Sequence, residues 1–378
     1  MAVETIEPVR SNDFKRLWAD VGPEVLAAVE AVGETGWYVL GPSVTRFERA
    51  LARLFGLGFS IGCANGLDAI EIALRALALP HGAPVLTTPL SAFATTLAIV
   101  RAGGTPVFAD VDQRGHLDLG RCEQILEDRP DIRHLVPVHL YGGAMNLNDL
   151  RDLKQRFELE LVEDCAQSIG AHFDGRAAGT IGDLAAVSFY PTKNLGALGD
   201  GGAIVTSDDH LRDRCAVLRN YGQSSQYVHD ELGLNSRLDE LQADILDSVF
   251  LPRLEAWTSR RRELASRYLD GITHPKLRLL EVAPASLPVW HLFPVFVPEV
   301  GRESFQRHLR DAGIDSAVHY PRLIPDQAAL RTVTVEVVGT LTCAGELAAS
   351  EVSLPIHPYL TDAEQDRVMG AINSWHAP

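Results

Sequence analysis

Lysine, paired cysteine, net positive charge and long apolar runs are all scarce in this sequence, and each shortage excludes something. Basic residues number 34 against 50 acidic ones, a formal charge of −16. A surface built to neutralise nucleic-acid phosphates is therefore not expected. The apolar stretch Ala92–Val100 holds two threonines and falls far short of the ~20 residues that span a membrane. The first residues, Met1 to Phe14, lack a basic start followed by an apolar stretch, so no secretion signal is read and a cytoplasmic location is expected. Cys63, Cys122, Cys165, Cys215 and Cys343 are scattered, odd in number and never spaced C-x-x-C. They read as buried free thiols rather than a disulfide framework or a zinc site. No His-x-x-x-His falls on an expected helix and no carboxylate-rich calcium loop occurs, so no metal is expected. The G-x-S-x-G elbow of one large hydrolase class is also missing.

What is present is ordinary globular material. The chain has 378 residues, 46% apolar and 22% charged. At ~150 residues per domain it is long enough for two or three domains and a large core. Lysine occurs only at Lys15, Lys154, Lys193 and Lys276, the other basic residues being arginine. A GC-rich genome would produce such a preference without any functional cause. Arginine cannot replace lysine, however, where a neutral amine must attack a carbonyl. Lys193 alone lies in an apolar, glycine-rich stretch.

Between residues 60 and 210, short Val-, Leu- and Phe-rich runs alternate with helical patterns. The strands expected are Pro84–Thr88, Pro106–Val111, His134–Leu140, Leu159–Glu163, Ala185–Phe189 and Ala203–Thr206. The helices expected between them are Asp68–Leu79, Ala92–Arg101 and Leu147–Phe157. This alternation predicts a mostly parallel sheet with helices on both faces, and a ligand beyond the carboxyl ends of the strands. From Arg237 the pattern changes to helices over Arg237–Phe250 and Arg253–Asp270, broken at Pro252. A strand over Leu287–Val297, a helix over Arg302–Ala312, a strand over Ser316–Tyr320 and a last helix from Thr361 follow. These predict a smaller C-terminal α+β domain, 251–378, after a large domain, 1–250.

Three motifs carry chemistry. In Ser188-Phe189-Tyr190-Pro191-Thr192-Lys193-Asn194-Leu195-Gly196, a strand ends at Phe189 and Lys193 projects beyond it. A desolvated lysine there has a lowered pKa and can form a Schiff base, although a lone lysine near glycines is commonly a solvated loop residue. In Leu161-Val162-Glu163-Asp164-Cys165-Ala166-Gln167, a carboxylate ends a buried strand 29 positions before the lysine. It can hold the ring nitrogen of pyridoxal phosphate protonated, or cap a helix. Gln167 can donate to the ring's phenolic oxygen. Glu163 should face the opposite way because side chains alternate along a strand. Third, Ala64-Asn65-Gly66-Leu67-Asp68 opens a helix whose N-terminus can bind phosphate, with Ser188 adding a hydroxyl. Gly199-Asp200-Gly201-Gly202 precedes a strand rather than a helix, which excludes a dinucleotide fingerprint.

In order and spacing these segments resemble the DegT/StrS family of sugar aminotransferases, within the fold-type I pyridoxal-phosphate superfamily. The resemblance includes Gly36-Trp37-Tyr38-Val39-Leu40-Gly41-Pro42, Pro106-Val107-Phe108-Ala109-Asp110-Val111-Asp112, Pro137-Val138-His139-Leu140-Tyr141-Gly142 and Gly233-Leu234-Asn235-Ser236-Arg237-Leu238. It continues to His319-Tyr320-Pro321 and Leu354-Pro355-Ile356-His357-Pro358. It implies an α/β chain of PLP transferase fold type I: a three-layer, mostly parallel sheet with the smaller C-terminal α+β domain. It implies Lys193 as Schiff-base lysine and proton shuttle, Asp164 as pyridinium partner and Gln167 as phenolate partner. Gly66, Leu67 and Ser188 would hold the phosphate. Asn235 would reach it from the neighbouring subunit of a homodimer with shared active sites. Relatives that remove a hydroxyl carry histidine at the lysine position, so Lys193 implies transamination. In one departure, Ala92 of Ser91-Ala92-Phe93-Ala94-Thr95 stands where relatives stack an aromatic residue on the cofactor ring. The segment Arg322-Leu323-Ile324-Pro325 also lacks a histidine that many relatives carry.

The activity implied is transfer of an amino group from glutamate to a nucleotide-linked keto-6-deoxysugar, with a lean to C3 from the Asn65-Gly66-Leu67-Asp68-Ala69 turn. The alternatives are an aminocyclitol-forming transaminase, a pyridoxal-phosphate sugar dehydratase and a non-catalytic cofactor-binding regulator. Arg237 could pair with the donor carboxylate, with the sugar-nucleotide phosphates, or in a surface salt bridge. His319 and Tyr320 could line the sugar pocket or form a buried structural pair.

Overall fold

The computed structural model describes residues 7–376. Its centre is an eight-stranded sheet. In spatial order the strands are Phe59–Cys63, Gly202–Thr206, Leu184–Ser188, Glu160–Asp164, His134–Val136, Pro84–Thr87, Thr105–Phe108 and Glu336–Val337. Gly202–Thr206 runs antiparallel to both neighbours, and every other pairing is parallel. The α/β reading with a mostly parallel sheet is therefore right, and all six strands expected between residues 84 and 206 are present with ends shifted by up to four residues.

Side-chain alternation makes the sheet the middle of three layers. Ala185 and Val187 face one apolar core with Phe47, Leu51 and Phe189. Leu184 and Ala186 face the other, with Ile61, Ile70 and Ala73. The helix Gly66–Ala76 lies almost wholly buried in that second layer. Its one fully buried charge, Glu71, is paired with Arg75 and Arg101 at 2.6 and 2.7 Å. Two helices that the sequence reading did not include, Phe14–Thr35 and Pro42–Phe55, precede it. The second puts Val44, Phe47, Leu51 and Phe55 on its buried face at three- and four-residue spacing. Leu119–Asp128, Asp209–Leu218 and Thr342–Ser350 are further helices outside that reading.

A separate apolar core gathers Leu264, Tyr268, Phe293, Phe305, Leu309, Val368 and Ile372 around a three-stranded antiparallel sheet of Arg278–Leu279, Phe293–Phe296 and Glu351–Leu354. Three expectations need correction here. Ser316–Tyr320 is no strand: it makes one bridge, Ala317 to Ser353, before Pro321 ends any ladder. The stretch Leu287–Val297 divides into Ser286–Leu287, which pairs with His172–Phe173, and Phe293–Phe296, with Pro288 between them. The helix expected from Arg237 starts at Glu240, and its last turn, Leu246–Phe250, is π. Pro252 then imposes a 3₁₀ turn before the long helix Leu254–Gly271.

One buried hydrogen-bonded pair ties the sheet beneath the candidate site. Glu163 and His139 are both fully buried, 2.8 Å apart. Glu163 also accepts the backbone N–H groups of Gly179, Ile181 and Gly182 at 2.9, 2.7 and 2.6 Å. Burial alone would raise this carboxyl, but His139 and the backbone donors hold it below its usual range. Removing one partner of a buried pair leaves an uncompensated charge. His139→Ala should therefore lower unfolding free energy by about 3 kcal/mol, read from denaturant midpoints; an unchanged midpoint would show the pair to be energetically neutral.

Candidate active site

Strand register brings the three motifs to one edge of the sheet. Asp164 ends its strand with Ala186 of the adjacent parallel strand beside it. Two residues past Ala186, Ser188 lies opposite Gly202, and Gly202 lies opposite Cys63. Thus Ser188, the loop carrying Lys193, Asp164 and the turn after Cys63 all emerge together. The sequence-level expectation of a ligand beyond the strand carboxyl ends rests on the same geometry.

Lys193 sits in a tight turn: its N–H donates to Tyr190 O at 2.8 Å, and Ala197 N–H returns to Phe189 O at 2.8 Å. A Cβ at Gly196 would lie 2.4 Å from Pro191 O, so only glycine lets the turn close. Next to it, Asn194 donates to Val289 O at 2.8 Å, which fixes the loop from the other side. Burial lowers the Lys193 amine to about 8, although Asp164 pulls the other way. Asp164 is buried, and that burial raises its carboxyl. Ala166 N–H at 3.0 Å and the Thr95 hydroxyl at 2.8 Å oppose the rise, together with Lys193. Each carboxylate oxygen keeps further acceptor capacity. Sequence reading assigned Thr95 no role; it lies one helical turn after Ala92, a spacing that shares a face.

Gln167 is oriented by Tyr141. The Tyr141 N–H donates to Gln167 Oε1 at 2.7 Å, which leaves the Gln167 amide as a donor, and it reaches the Tyr320 hydroxyl at 3.2 Å. Tyr141 in turn donates its hydroxyl to His319 O at 2.9 Å. Burial lowers His319 to about 4, with Lys193 acting in the same direction, and raises the Tyr320 hydroxyl. His319 and Tyr320 thus lie near Lys193 and Gln167 respectively. Arg261 closes the chamber: it is buried, its Nη1 donates to Ile356 O at 2.7 Å and Trp290 O at 3.2 Å, and desolvation lowers it to about 10. The cavity beside Lys193 has a volume of about 50 Å³.

At the turn, Asn65 caps the helix by accepting Asp68 N–H at 2.8 Å, and Gly66 and Leu67 open its first turn. A Cβ on Gly66 would lie 2.7 Å from Ser188 Cβ, and one on Gly202 would lie 2.4 Å from the Asn65 carbonyl carbon. Backbone therefore packs on backbone here and leaves a helix N-terminus beside a hydroxyl, an arrangement suited to phosphate. Asn235 and Arg237 flank the buried Ser236, whose hydroxyl accepts the Ala64 N–H at 3.1 Å just before the turn. Asn235 is exposed, and Arg237 donates to Asn220 Oδ1 at 3.0 Å and stacks on Tyr221, with no carboxylate partner among the described residues. Phe93 does not replace the missing aromatic: its ring packs with Phe108, Ile324 and Leu330, while Ala92 stays half-buried at the helix cap. His139, Glu163 and Cys165 converge closely enough to suggest a metal. Glu163 and both His139 nitrogens are already hydrogen-bonded, the second nitrogen to Met145 N–H at 3.2 Å, so the cluster reads as an internal tie.

Residues 19–373 match the DegT/DnrJ/EryC1/StrS aminotransferase family. The chain belongs to that family. It is 38% identical over 370 residues to the dTDP-3-amino-3,4,6-trideoxy-alpha-D-glucose transaminase of Streptomyces venezuelae, spanning 96% of this chain and 95% of that one. It is 40% identical over 364 residues to the dTDP-3-amino-3,6-dideoxy-alpha-D-galactopyranose transaminase of Aneurinibacillus thermoaerophilus, spanning 96% and 98%. Among solved structures it is similar to S. venezuelae DesV in complex with a ketimine intermediate, with TM-score 0.93 and 38% identity over 98% of this chain and 99% of that one. The chain is accordingly a pyridoxal-phosphate-dependent transaminase. The residues present fit that cofactor: the close approaches at Gly66 and Gly202 form a phosphate cradle, Gln167 is oriented as a donor and Asp164 has spare acceptor capacity. No helix among the described residues is long and apolar enough to cross a membrane.

Two measurements follow. The nucleophile is the neutral amine, so the rate at which cofactor-free protein captures pyridoxal phosphate should rise as pH approaches about 8 and level off above it, followed by visible absorbance. Gly202→Ala should displace the Asn65 backbone, costing about 1–3 kcal/mol of stability and weakening cofactor affinity by equilibrium dialysis; wild-type affinity would show the cradle to be tolerant.

Proposed function

We propose that the enzyme transfers an amino group from glutamate to C3 of a nucleotide-linked 3-keto-6-deoxysugar, with Lys193 as its catalytic residue. The observation that carries this reading is a lysine whose amine burial brings to about 8, opening from a parallel-sheet edge beside a buried carboxylate. The two relatives described above are both 3-amino-deoxysugar transaminases, which supports the position.

Bound pyridoxal phosphate supplies an electron sink for the carbon losing or gaining its proton. The chain's own residues do the rest. Lys193 Nζ would hold the cofactor aldehyde until the donor's amine displaces it, and the freed amine would take the proton from glutamate Cα and later deliver one at C3 of the sugar. Asp164 would keep the ring nitrogen protonated, with Thr95 holding that carboxylate in place. Gln167 would donate to the phenolic oxygen. Gly66, Leu67 and Ser188 would hold the phosphate. One water would supply the keto oxygen with which the donor leaves as 2-oxoglutarate, and the sugar's own keto oxygen would leave as water when C3 takes the nitrogen, so no water is consumed overall. His319 and Tyr320 line the sugar side of the chamber, and Arg237 receives an anionic group of a substrate from its surface segment.

A homodimer completes the site in this reading, with Asn235 of one copy reaching the phosphate of the other. The exposed Trp18, Leu26, Trp37, Tyr38, Tyr227 and Leu232 support an apolar face for that second copy.

A panel of nucleotide keto-sugars and ketone-bearing cyclitols, offered with glutamate, tests the substrate. Amination of a 3-keto-sugar nucleotide is expected; amination of a cyclitol alone, or dehydration without amination, overturns the reading. Lys193→Ala should lose borohydride-trapped cofactor and at least ~10³-fold in rate while keeping its circular dichroism. Asn235→Ala should weaken cofactor binding without loss of trapping; wild-type affinity in that variant would remove the asparagine from the phosphate site.

A further inference from the structure

The segment that carries His319 crosses the start of the strand Glu351–Leu354. The bridge between Ala317 and Ser353 is antiparallel, and continuing its register by two residues sets His319 opposite Glu351. Glu351 and Ser353 are two apart on one strand and so share a face. Their side chains meet the histidine there. His319 N–H donates to Glu351 Oε2 at 2.5 Å, Ser353 Oγ donates to Glu351 Oε1 at 2.5 Å, and His319 Nδ1 lies 2.8 Å from Ser353 Oγ. Both strand residues are buried, Glu351 fully and Ser353 at 3% exposure. With Nδ1 engaged, Nε2 is the ring nitrogen left without a partner among the described residues. His319 and Ser353 line a cavity of about 140 Å³ that they share with Thr192, the residue before Lys193, and with His291.

We propose that Glu351 and Ser353 are positioning residues that act through His319, forming a relay that sets whether its Nε2 donates or accepts a hydrogen bond to the sugar's hydroxyls. This rests on the reading of the chamber as the sugar site, but the relay itself is a property of the chain. A serine hydroxyl has one proton and can point either way. When Glu351 is ionised, Ser353 donates to it and accepts from His319 Nδ1–H, so Nε2 carries a bare lone pair. When Glu351 is protonated, its O–H donates to Ser353 Oγ, Ser353 donates to Nδ1, and the ring proton resides on Nε2. Passing from the second state to the first releases one proton to solvent and moves the others one step along the chain.

The charges around the relay leave the tautomer, rather than the charge, of His319 as the variable. Lys193 faces the ring and, with burial, keeps it neutral above about 4. Tyr320 packs edge-on at 5.5 Å, Tyr141 donates to the His319 carbonyl, and His291 is itself held neutral by burial, Lys193 and Arg261. Around Glu351, burial outweighs Ser353, the His319 N–H and Arg302 and pushes the carboxyl up to about 8. The proton is therefore bound below that value and lost above it, so Nε2 is a donor at neutral pH and an acceptor in alkali.

Nitrogen NMR of the holoenzyme carrying labelled histidine rings, assigned with His319→Gln, reads the tautomer directly. Nε2 should be protonated below the Glu351 value of about 8 and bare above it. Glu351→Gln should keep the protonated form at every pH, because its amide donates to Ser353 as the acid does. Ser353→Ala should abolish the pH dependence and Ser353→Thr restore it. The KM for the sugar nucleotide should follow the tautomer by roughly two- to tenfold, the worth of one hydrogen bond. A wild-type tautomer that ignores pH, or one that responds alike in Ser353→Ala, overturns the relay. A tautomer that switches while the sugar KM stays flat overturns its role in recognition. Absence of amination in the wild-type enzyme would instead overturn the functional reading and leave the NMR result standing.

Discussion

Desolvation of one lysine and one aspartate at the same sheet edge is the constraint on which the site depends. Burial disfavours both charged forms, lowering the amine and raising the carboxyl. A small molecule with an aldehyde at one end and a basic ring nitrogen at the other suits both groups: the neutral amine attacks the first, and the carboxylate stabilises the protonated second. An exposed lysine would remain a cation at neutral pH and an exposed aspartate would be screened by water.

The surrounding fold keeps these two groups dry and fixed. Asp164 is held by its strand pairing and by Thr95, while its neighbour Glu163 turns to the opposite side and is consumed by His139 and three backbone donors. Alternation along the strand therefore separates a carboxylate on the Lys193 side from a structural one. On the other side, glycines at 66, 196 and 202 permit backbone contacts that a methyl group would block. The Lys193 loop is further tied by Asn194 to the segment running towards Trp290 and His291, so chamber walls from distant parts of the chain are set relative to the amine.

Sequence reading was strongest where chemistry and local structure share one short segment. Lys193 within its glycine-rich turn, Asp164 at a strand end and Asn65-Gly66 at a helix start each carry their own signal, because neighbouring residues determine the turn, the strand or the cap. The helix Leu147–Phe157 has the ends its apolar spacing indicates. Periodicity was less informative where elements are short or interrupted. Phe59–Cys63 contains a glycine and spans five residues, and Ser316–Tyr320 has strand-like residues but finds only one bridging partner.

The sequence by itself determined the parallel-sheet class, which follows from residue type and short-range spacing, and the family resemblance of its ordered segments carried the cofactor. Only the tertiary structure decided that Thr95 serves Asp164 from 69 residues away, that Tyr141 orients Gln167, that Phe93 turns into an apolar cluster and leaves Ala92 at the site, and that Ser353 and Glu351 sit behind His319. Those contacts depend on strand order and register, which bring together side chains far apart along the chain. No local pattern of apolar and polar residues encodes which distant partner a hydroxyl or an amide will meet.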